Sequence, residues 1–147
     1  MKLLISACLL GLPCRYDGKS KYYENIPMLI NKFELVPFCP ECYGGLPTPR
    51  EPAEIVNKSV ITQSGISVTE QYESGASQAL FLCKKLGITQ ALLKEKSPSC
   101  GKGIIYDGTF SKTVAHGNGI TAQTLMDNGI TVYGESEIDK LIDNNGD

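Results

Sequence analysis

Leu3-Leu4-Ile5-Ser6-Ala7-Cys8 is an almost wholly apolar run that ends on a thiol. A strand of this kind is buried on both faces, as in a parallel sheet with helices above and below it. Two further segments repeat the arrangement. Glu34-Leu35-Val36-Pro37-Phe38 leads directly to Cys39, and the strand expected at Ile88 to Leu93 leads into Lys94-Glu95-Lys96-Ser97-Pro98-Ser99-Cys100-Gly101. A fourth strand is expected at Ile130 to Tyr133.

Helical patterns separate these strands. Ile26, Leu29, Ile30 and Phe33 mark one face of a helix over residues 24 to 33. A longer helix from Glu70 to Leu86, capped by Thr69, carries Tyr72, Ala76, Ala79, Leu80, Cys83 and Leu86 on one face, and Gly87 stands where a left-handed residue ends a helix. Shorter helices are expected at Thr121 to Asp127 and Glu135 to Ile142. Strands alternating with helices predict an α/β fold: a single domain over 1–147 with an open, mostly parallel sheet flanked by helices, a Rossmann-like three-layer arrangement.

At 147 residues the chain buries enough surface to fold without disulfide staples. The net charge of −2 gives no electrostatic reason to expect a nucleic-acid polymer or an anionic membrane as partner, and no run approaches the ~18 apolar residues of a membrane span. Ile5-Ser6-Ala7-Cys8 looks like a lipid-attachment box, but the apolar stretch before it is too short for an export signal. A reducing cytoplasm is therefore expected, where six clustered cysteines point to metal binding or catalysis rather than disulfides. No feature of the sequence sets an oligomeric state.

Between Pro40 and Pro52 the chain has no periodic pattern and is punctuated by prolines and glycines, which predicts a rigid, irregular functional loop. Residues 54 to 62 and 65 to 69 are expected to form a minor hairpin about Ser64-Gly65. A loop or edge strand follows at Ile104 to Phe110.

Ligands of open parallel sheets bind beyond the carboxyl ends of the strands, where the strand order reverses. Cys8, Cys39 and Cys100 all stand at such ends. Neighbouring strands lie roughly 5 Å apart, so three ends can surround one small metal centre. Three thiolates suit zinc, or an iron-sulfur cluster with one iron lacking a protein ligand. Cys83 reads as a core residue of the long helix, and Cys14 as a supporting thiol or a plain loop residue. Cys39-Pro40-Glu41-Cys42 has CxxC spacing, but a zinc knuckle needs a second pair, and a redox CxxC opens a helix, which the local prolines and glycines are expected to prevent.

Among other groups, His116 reads as an exposed loop histidine with no orienting acid nearby in sequence. Glu41, two residues past Cys39, is the better candidate to activate water, given partial burial in its loop. Pro98 at the second position of a turn brings Ser97 toward Cys100, so Ser97 is the hydroxyl expected at the site and Ser99 is expected to bond locally. Arg50 is expected to pair with Glu54 or Asp17, or to hold substrate.

These stretches, together with Leu9-Leu10-Gly11, Arg15-Tyr16-Asp17-Gly18, Gly44-Gly45-Leu46-Pro47-Thr48-Pro49-Arg50 and Pro52-Ala53-Glu54, resemble the thiouracil desulfidase family from about residue 3 to residue 135. The resemblance implies a 4Fe-4S cluster held by Cys8, Cys39 and Cys100, with its fourth iron open. It implies non-redox removal of sulfur from a small thioamide or thiolated nucleobase, 2-thiouracil to uracil and sulfide, with Glu41 activating water or relaying a proton and Ser97 positioning or protonating substrate. Cys42 is additional to the family pattern. The rival readings are a non-catalytic or electron-transfer iron-sulfur protein and a zinc- or thiol-dependent hydrolase.

Overall fold

The computed structural model describes residues 1–144. Four parallel strands form its central sheet: β1 (Lys2–Ser6), β2 (Glu34–Phe38), β5 (Gln90–Leu93) and β8 (Thr131–Gly134), in spatial order β2-β1-β5-β8. The register pairs Leu4 of β1 with Val36 of β2 and with Ala91 of β5, so β1 is flanked on both sides. From β1 the chain first steps outward to β2 and then returns to the other side of β1. The strand order thus reverses between β1 and β5.

Helices cover both faces, and alternate residues of β1 divide between them. Leu4 packs with Ala79 and Cys83 of α3 (Thr69–Leu86) and with Ala122 and Leu125 of α4 (Ile120–Asp127). Leu3 and Ile5 pack on the opposite face with Ile26 and Leu29 of α1 (Ile26–Ile30) and with Ile138 and Leu141 of α5 (Ile138–Asn144). Leu3, Leu4 and Ile5 are 0–1% exposed, so burial of each contributes roughly 1.5–3 kcal/mol. This two-sided burial is why β1 reads as a continuous apolar run. No described helix is long and apolar enough to cross a membrane.

Two antiparallel hairpins stand apart from the sheet. One is β3 (Ala53–Val56) with β4 (Ser59–Thr62), and the other is β6 (Ile104–Tyr106) with β7 (Val114–His116). The first departs from the expected turn at Ser64-Gly65. Its reversal falls at Asn57 and Lys58, with φ of 51° and 70°, the left-handed pair that a tight hairpin needs. Ser64-Gly65 does make a second turn, after which the chain runs back along β4 through an antiparallel bridge from Ser67 to Ile61 and amide bonds from Thr62 to Ile66 and from Val68 to Val60, each at 2.8 Å, without forming a further strand.

Helix boundaries also shift. The first helix shrinks to α1, and Ile30 is left 59% exposed instead of joining the buried face. Thr69 does not cap α3, because its hydroxyl accepts the Val60 amide across to β4. Leu86 is 41% exposed, whereas Gly87 ends the helix in the left-handed region as expected. The Pro40–Pro52 loop is not wholly irregular. Pro40–Tyr43 forms a single helical turn, α2, opened by Cys39, since proline is well suited to the first position of a helix. Gly44 and Gly75 let α2 and α3 touch through their backbones: a Cβ on Gly44 would overlap the Gln71 carbonyl, and one on Gly75 the Pro40 carbonyl.

Candidate functional site

Each thiol-bearing turn at the carboxyl ends of β1, β2 and β5 has a local cause. Cys8 lies in a 3-10 turn (Ala7–Leu10) closed by Gly11, whose φ of 99° lets its amide donate to the Cys8 carbonyl at 3.1 Å. Cys39 has an extended backbone at the N-terminus of α2, where Pro40 forces the chain into its turn. Cys100 is fixed by Ser97, whose hydroxyl oxygen accepts the amides of Ser99 and Cys100, each at 3.1 Å, while its carbonyl accepts the Gly101 amide at 2.8 Å. Cys8, Cys39 and Cys100 line one cavity of about 350 Å³, and Cys14 joins them. Cys42 lies outside that lining, its sulfur within reach of the Cys14 carbonyl at 3.7 Å, the Thr48 hydroxyl at 3.5 Å and Arg50 at 3.9 Å. Cys83 is fully buried in α3, and His116 is exposed on β7 rather than in a loop.

Beside the thiols is a polar chain. The Ser99 hydroxyl donates to Glu41 Oε2 at 2.8 Å, and the Ser97 hydroxyl lies 3.0 Å from Ser99 Oγ. Ser99 has one proton, and the carboxylate is its strongest acceptor, so Ser97 donates to Ser99 and Ser99 to Glu41. Ser99, expected to bond only locally, therefore reaches across 58 positions of sequence and is almost fully buried. The other carboxylate oxygen, Glu41 Oε1, accepts from Arg50 Nε at 3.1 Å and lies in ion-pair contact with Nη2, also at 3.1 Å. Arg50 uses its remaining hydrogens on the carbonyls of Pro47 at 3.1 Å and Cys14 at 3.0 Å and on the Thr48 hydroxyl at 3.0 Å.

The partners expected for Arg50 are occupied elsewhere. Asp17 pairs with Arg15, and the buried Glu54 accepts the amides of Gly108 and Phe110. With its guanidinium held by Glu41, Cys14, Pro47 and Thr48, Arg50 ties α2 to the first loop.

Tyr72 was not singled out by sequence. It faces Glu41 from the first turns of α3, where burial, and then the carboxylate's charge and hydrogen bond, push its hydroxyl pKa well above the ordinary value. The one signal in the sequence was a hydroxyl set within an apolar helix face.

The donor chemistry and its spacing bear on what the thiols can hold. A tetrahedral zinc site with Zn–S of about 2.3 Å needs sulfurs roughly 3.8 Å apart. Among the described residues no three Cys, His, Asp or Glu side chains are grouped to hold a single ion. Three thiols spread around a cavity of this size fit a larger iron-sulfur centre, to which thiolates are the natural ligands. Burial pushes Cys100 up to about 12, against the lowering influence of the Ser6 and Ser99 hydroxyls. The Cys39 thiol is pushed up by its hydrogen bond with Cys14 and by burial. The bond to Cys39 lowers Cys14, but that to Cys8, together with burial, takes it to about 11. Loading such a site releases protons, because thiolates are the ligating form.

Comparisons with known proteins cover nearly the same span. The profile of the 2-thiouracil desulfurase family matches residues 3–137. A Bacillus subtilis (strain 168) protein, the uncharacterized YbbK, is 41% identical over 150 residues, covering 95% of this chain and 99% of that protein. A solved structure of the 4Fe-4S-dependent thiouracil desulfidase TudS superposes with a TM-score of 0.90 at 47% identity, over 95% of this chain and 94% of the other.

Proposed function

The chain belongs to the 2-thiouracil desulfurase family, and from that premise we propose that it is a 4Fe-4S desulfidase of thiouracil-like bases whose cluster is held by Cys8, Cys39 and Cys100, the whole of 1–147 serving as one catalytic domain. The observation that carries the proposal is the convergence of these three thiols, with the Glu41–Ser99–Ser97 chain, on one cavity where the strand order reverses. Cys8, Cys39 and Cys100 would hold the cluster, and when bound it would supply a Lewis-acidic iron suited to a thiocarbonyl sulfur.

The reaction is a hydrolytic exchange with no change of oxidation state. Water oxygen forms the new C=O bond, the C=S bond breaks, and the sulfur leaves with the water's protons as hydrosulfide or hydrogen sulfide. Glu41 receives the water's first proton. Its Oε1 is held by Arg50, so Oε2, turned toward Ser99, is the atom that takes it. Ser97 and Ser99 donate in turn toward Oε2 and so stabilise the carboxylate form, and Glu41 hands the proton on to the departing sulfur, with Ser97 lining the cavity beside it. Arg50 and Tyr72 hold the carboxylate in place, so it needs little reorganisation as charge develops. Six free thiols and a cluster of this kind call for a reducing compartment, in agreement with a cytoplasmic site of action.

Anaerobic purification followed by iron and sulfide analysis, with a panel of thiouracils as substrates, tests the reading. Iron, labile sulfide and conversion of 2-thiouracil to uracil are expected together. A cluster-bearing protein that turns over no thioamide would leave the non-catalytic or electron-transfer iron-sulfur reading standing.

A further inference from the structure

We propose that Glu54 is a positioning residue that clamps a substrate-facing loop, residues 107–113, and that Phe110 on this loop determines which rings the site accepts; the proposal rests on the desulfuration reading above. Tyr106, Phe110 and Lys112, from the β6–β7 hairpin, line the same cavity as the three cysteines. Each hairpin strand is only three residues long, and a two-stranded hairpin of that size does not hold its own shape in water. Within the loop, the Asp107 carboxylate accepts the Thr109 amide at 3.0 Å and hydroxyl at 2.6 Å, and its amide meets the Thr113 carbonyl at 2.9 Å. These bonds shape the loop but do not place it over the cavity.

Glu54 does. It is buried on β3, and its Oε1 accepts the amides of Gly108 at 2.9 Å and Phe110 at 3.2 Å. Among the described residues it makes no ion pair, so the cost of burying this carboxylate is offset by these two charge-assisted bonds to the loop. Gly108 packs so tightly on β3 that a Cβ there would sit 2.8 Å from the Ile55 carbonyl oxygen. Phe110 and Lys112 have φ of 57° and 64°, a left-handed backbone that large side chains adopt only where their surroundings impose it. The clamp thus holds an aromatic ring against the cavity in a strained conformation, where it can stack on a planar base. A ring substituent remote from the reacting sulfur is the part of a substrate that such a wall would discriminate.

The test uses the anaerobically purified holoprotein and the variants Glu54→Ala, Glu54→Gln and Phe110→Ala. Amide hydrogen exchange at Gly108 and Phe110 reads the clamp without reference to activity. Glu54→Ala should accelerate that exchange by about 100-fold and raise KM for 2-thiouracil about tenfold, with kcat and iron content held within about threefold. Glu54→Gln, which keeps an acceptor oxygen, should restore both readouts. Phe110→Ala should shift the kcat/KM ratio between a ring-alkylated 2-thiouracil and 2-thiouracil by about tenfold. Unchanged exchange in Glu54→Ala, or a collapse of kcat at constant KM, would overturn the clamp. An unaltered substrate ratio in Phe110→Ala would overturn the specificity role. Should Glu54→Ala fail to fold, Glu54→Asp, whose shorter side chain draws the acceptor back from the two amides, decides the clamp instead: faster exchange at Gly108 and Phe110 is expected, and unchanged exchange would overturn it. A wild-type protein inert toward every thiouracil would sink the desulfuration reading and the role of Phe110 with it, while the exchange data would still decide the clamp.

Discussion

Replacing Arg50 by alanine removes the cation that holds the Glu41 carboxylate. The Arg50 and Glu41 side chains are only 7% and 14% exposed, so the pair is close to a buried one. Deleting one partner of such a pair costs about 3–5 kcal/mol, because the other charge stays desolvated. Arg50→Ala also strips donors from the Cys14 and Pro47 carbonyls, which adds to the loss where water cannot replace them. Unfolding entropy near 2.1 cal/mol/K per residue gives roughly 0.3 kcal/mol/K for a chain of 147 residues, so the pair alone corresponds to a fall in Tm of about 10–16 °C. Thermal unfolding followed by circular dichroism under anaerobic, reducing conditions measures it.

The double variant Arg50→Ala, Glu41→Gln should recover about half of that fall or more, since it removes the stranded charge as well. A shift under about 3 °C in Arg50→Ala, or strictly additive effects in the double variant, would refute the reasoning. Either result would return Arg50 to the role of a free substrate-binding cation.

Other variants separate ligands from bystanders. Cys8→Ser, Cys39→Ser and Cys100→Ser should each lose iron on anaerobic analysis, while Cys83→Ser should keep it at some cost in stability, since a hydroxyl replaces a fully buried thiol. Glu41→Gln should retain iron and lose about 10²–10⁴-fold in turnover, the range ordinary for a lost general base, and unimpaired turnover would remove Glu41 from the chemistry. The iron-free protein should be destabilised by alkali. Cys100 is raised by burial to about 12, so the unfolded chain ionises this thiol first, near pH 9, and urea midpoints should fall progressively from pH 9 toward 12. A flat profile over that window would show that the thiol is not buried in the iron-free fold.

The parallel sheet was legible because β1 carries its evidence locally. Leu3 and Ile5 face one helical layer and Leu4 the other, and only two-sided burial accounts for such a run. Convergence of the thiols followed from the same reasoning, each cysteine standing past a strand end. The relations that complete the site depend on packing between distant segments and have no local signature. Arg50 meets Glu41 because Gly44 and Gly75 let α2 press on α3, and neither glycine announces its partner in sequence. Ser99 looked like the support and Ser97 the reaching hydroxyl, since turn geometry speaks only of the fourth residue. Glu41 arrives at Ser99 through tertiary packing alone. The α2 turn does carry a local signal: Pro40 reads as a break, yet proline at the first helical position favours a start. Asn57-Lys58 is a similar case, asparagine tolerating the left-handed region that Lys58 is then drawn into.

The most direct measurement is paired: iron and labile sulfide per chain, and uracil plus sulfide released from 2-thiouracil, for the wild type and Cys100→Ser purified without oxygen. The wild type should hold about four irons and four sulfides and produce uracil and sulfide in equal amounts, with cluster and turnover both lost in Cys100→Ser. A colourless wild-type protein containing zinc would contradict the cluster, and a Cys100→Ser variant that keeps a full cluster and its activity would contradict the three-thiol site.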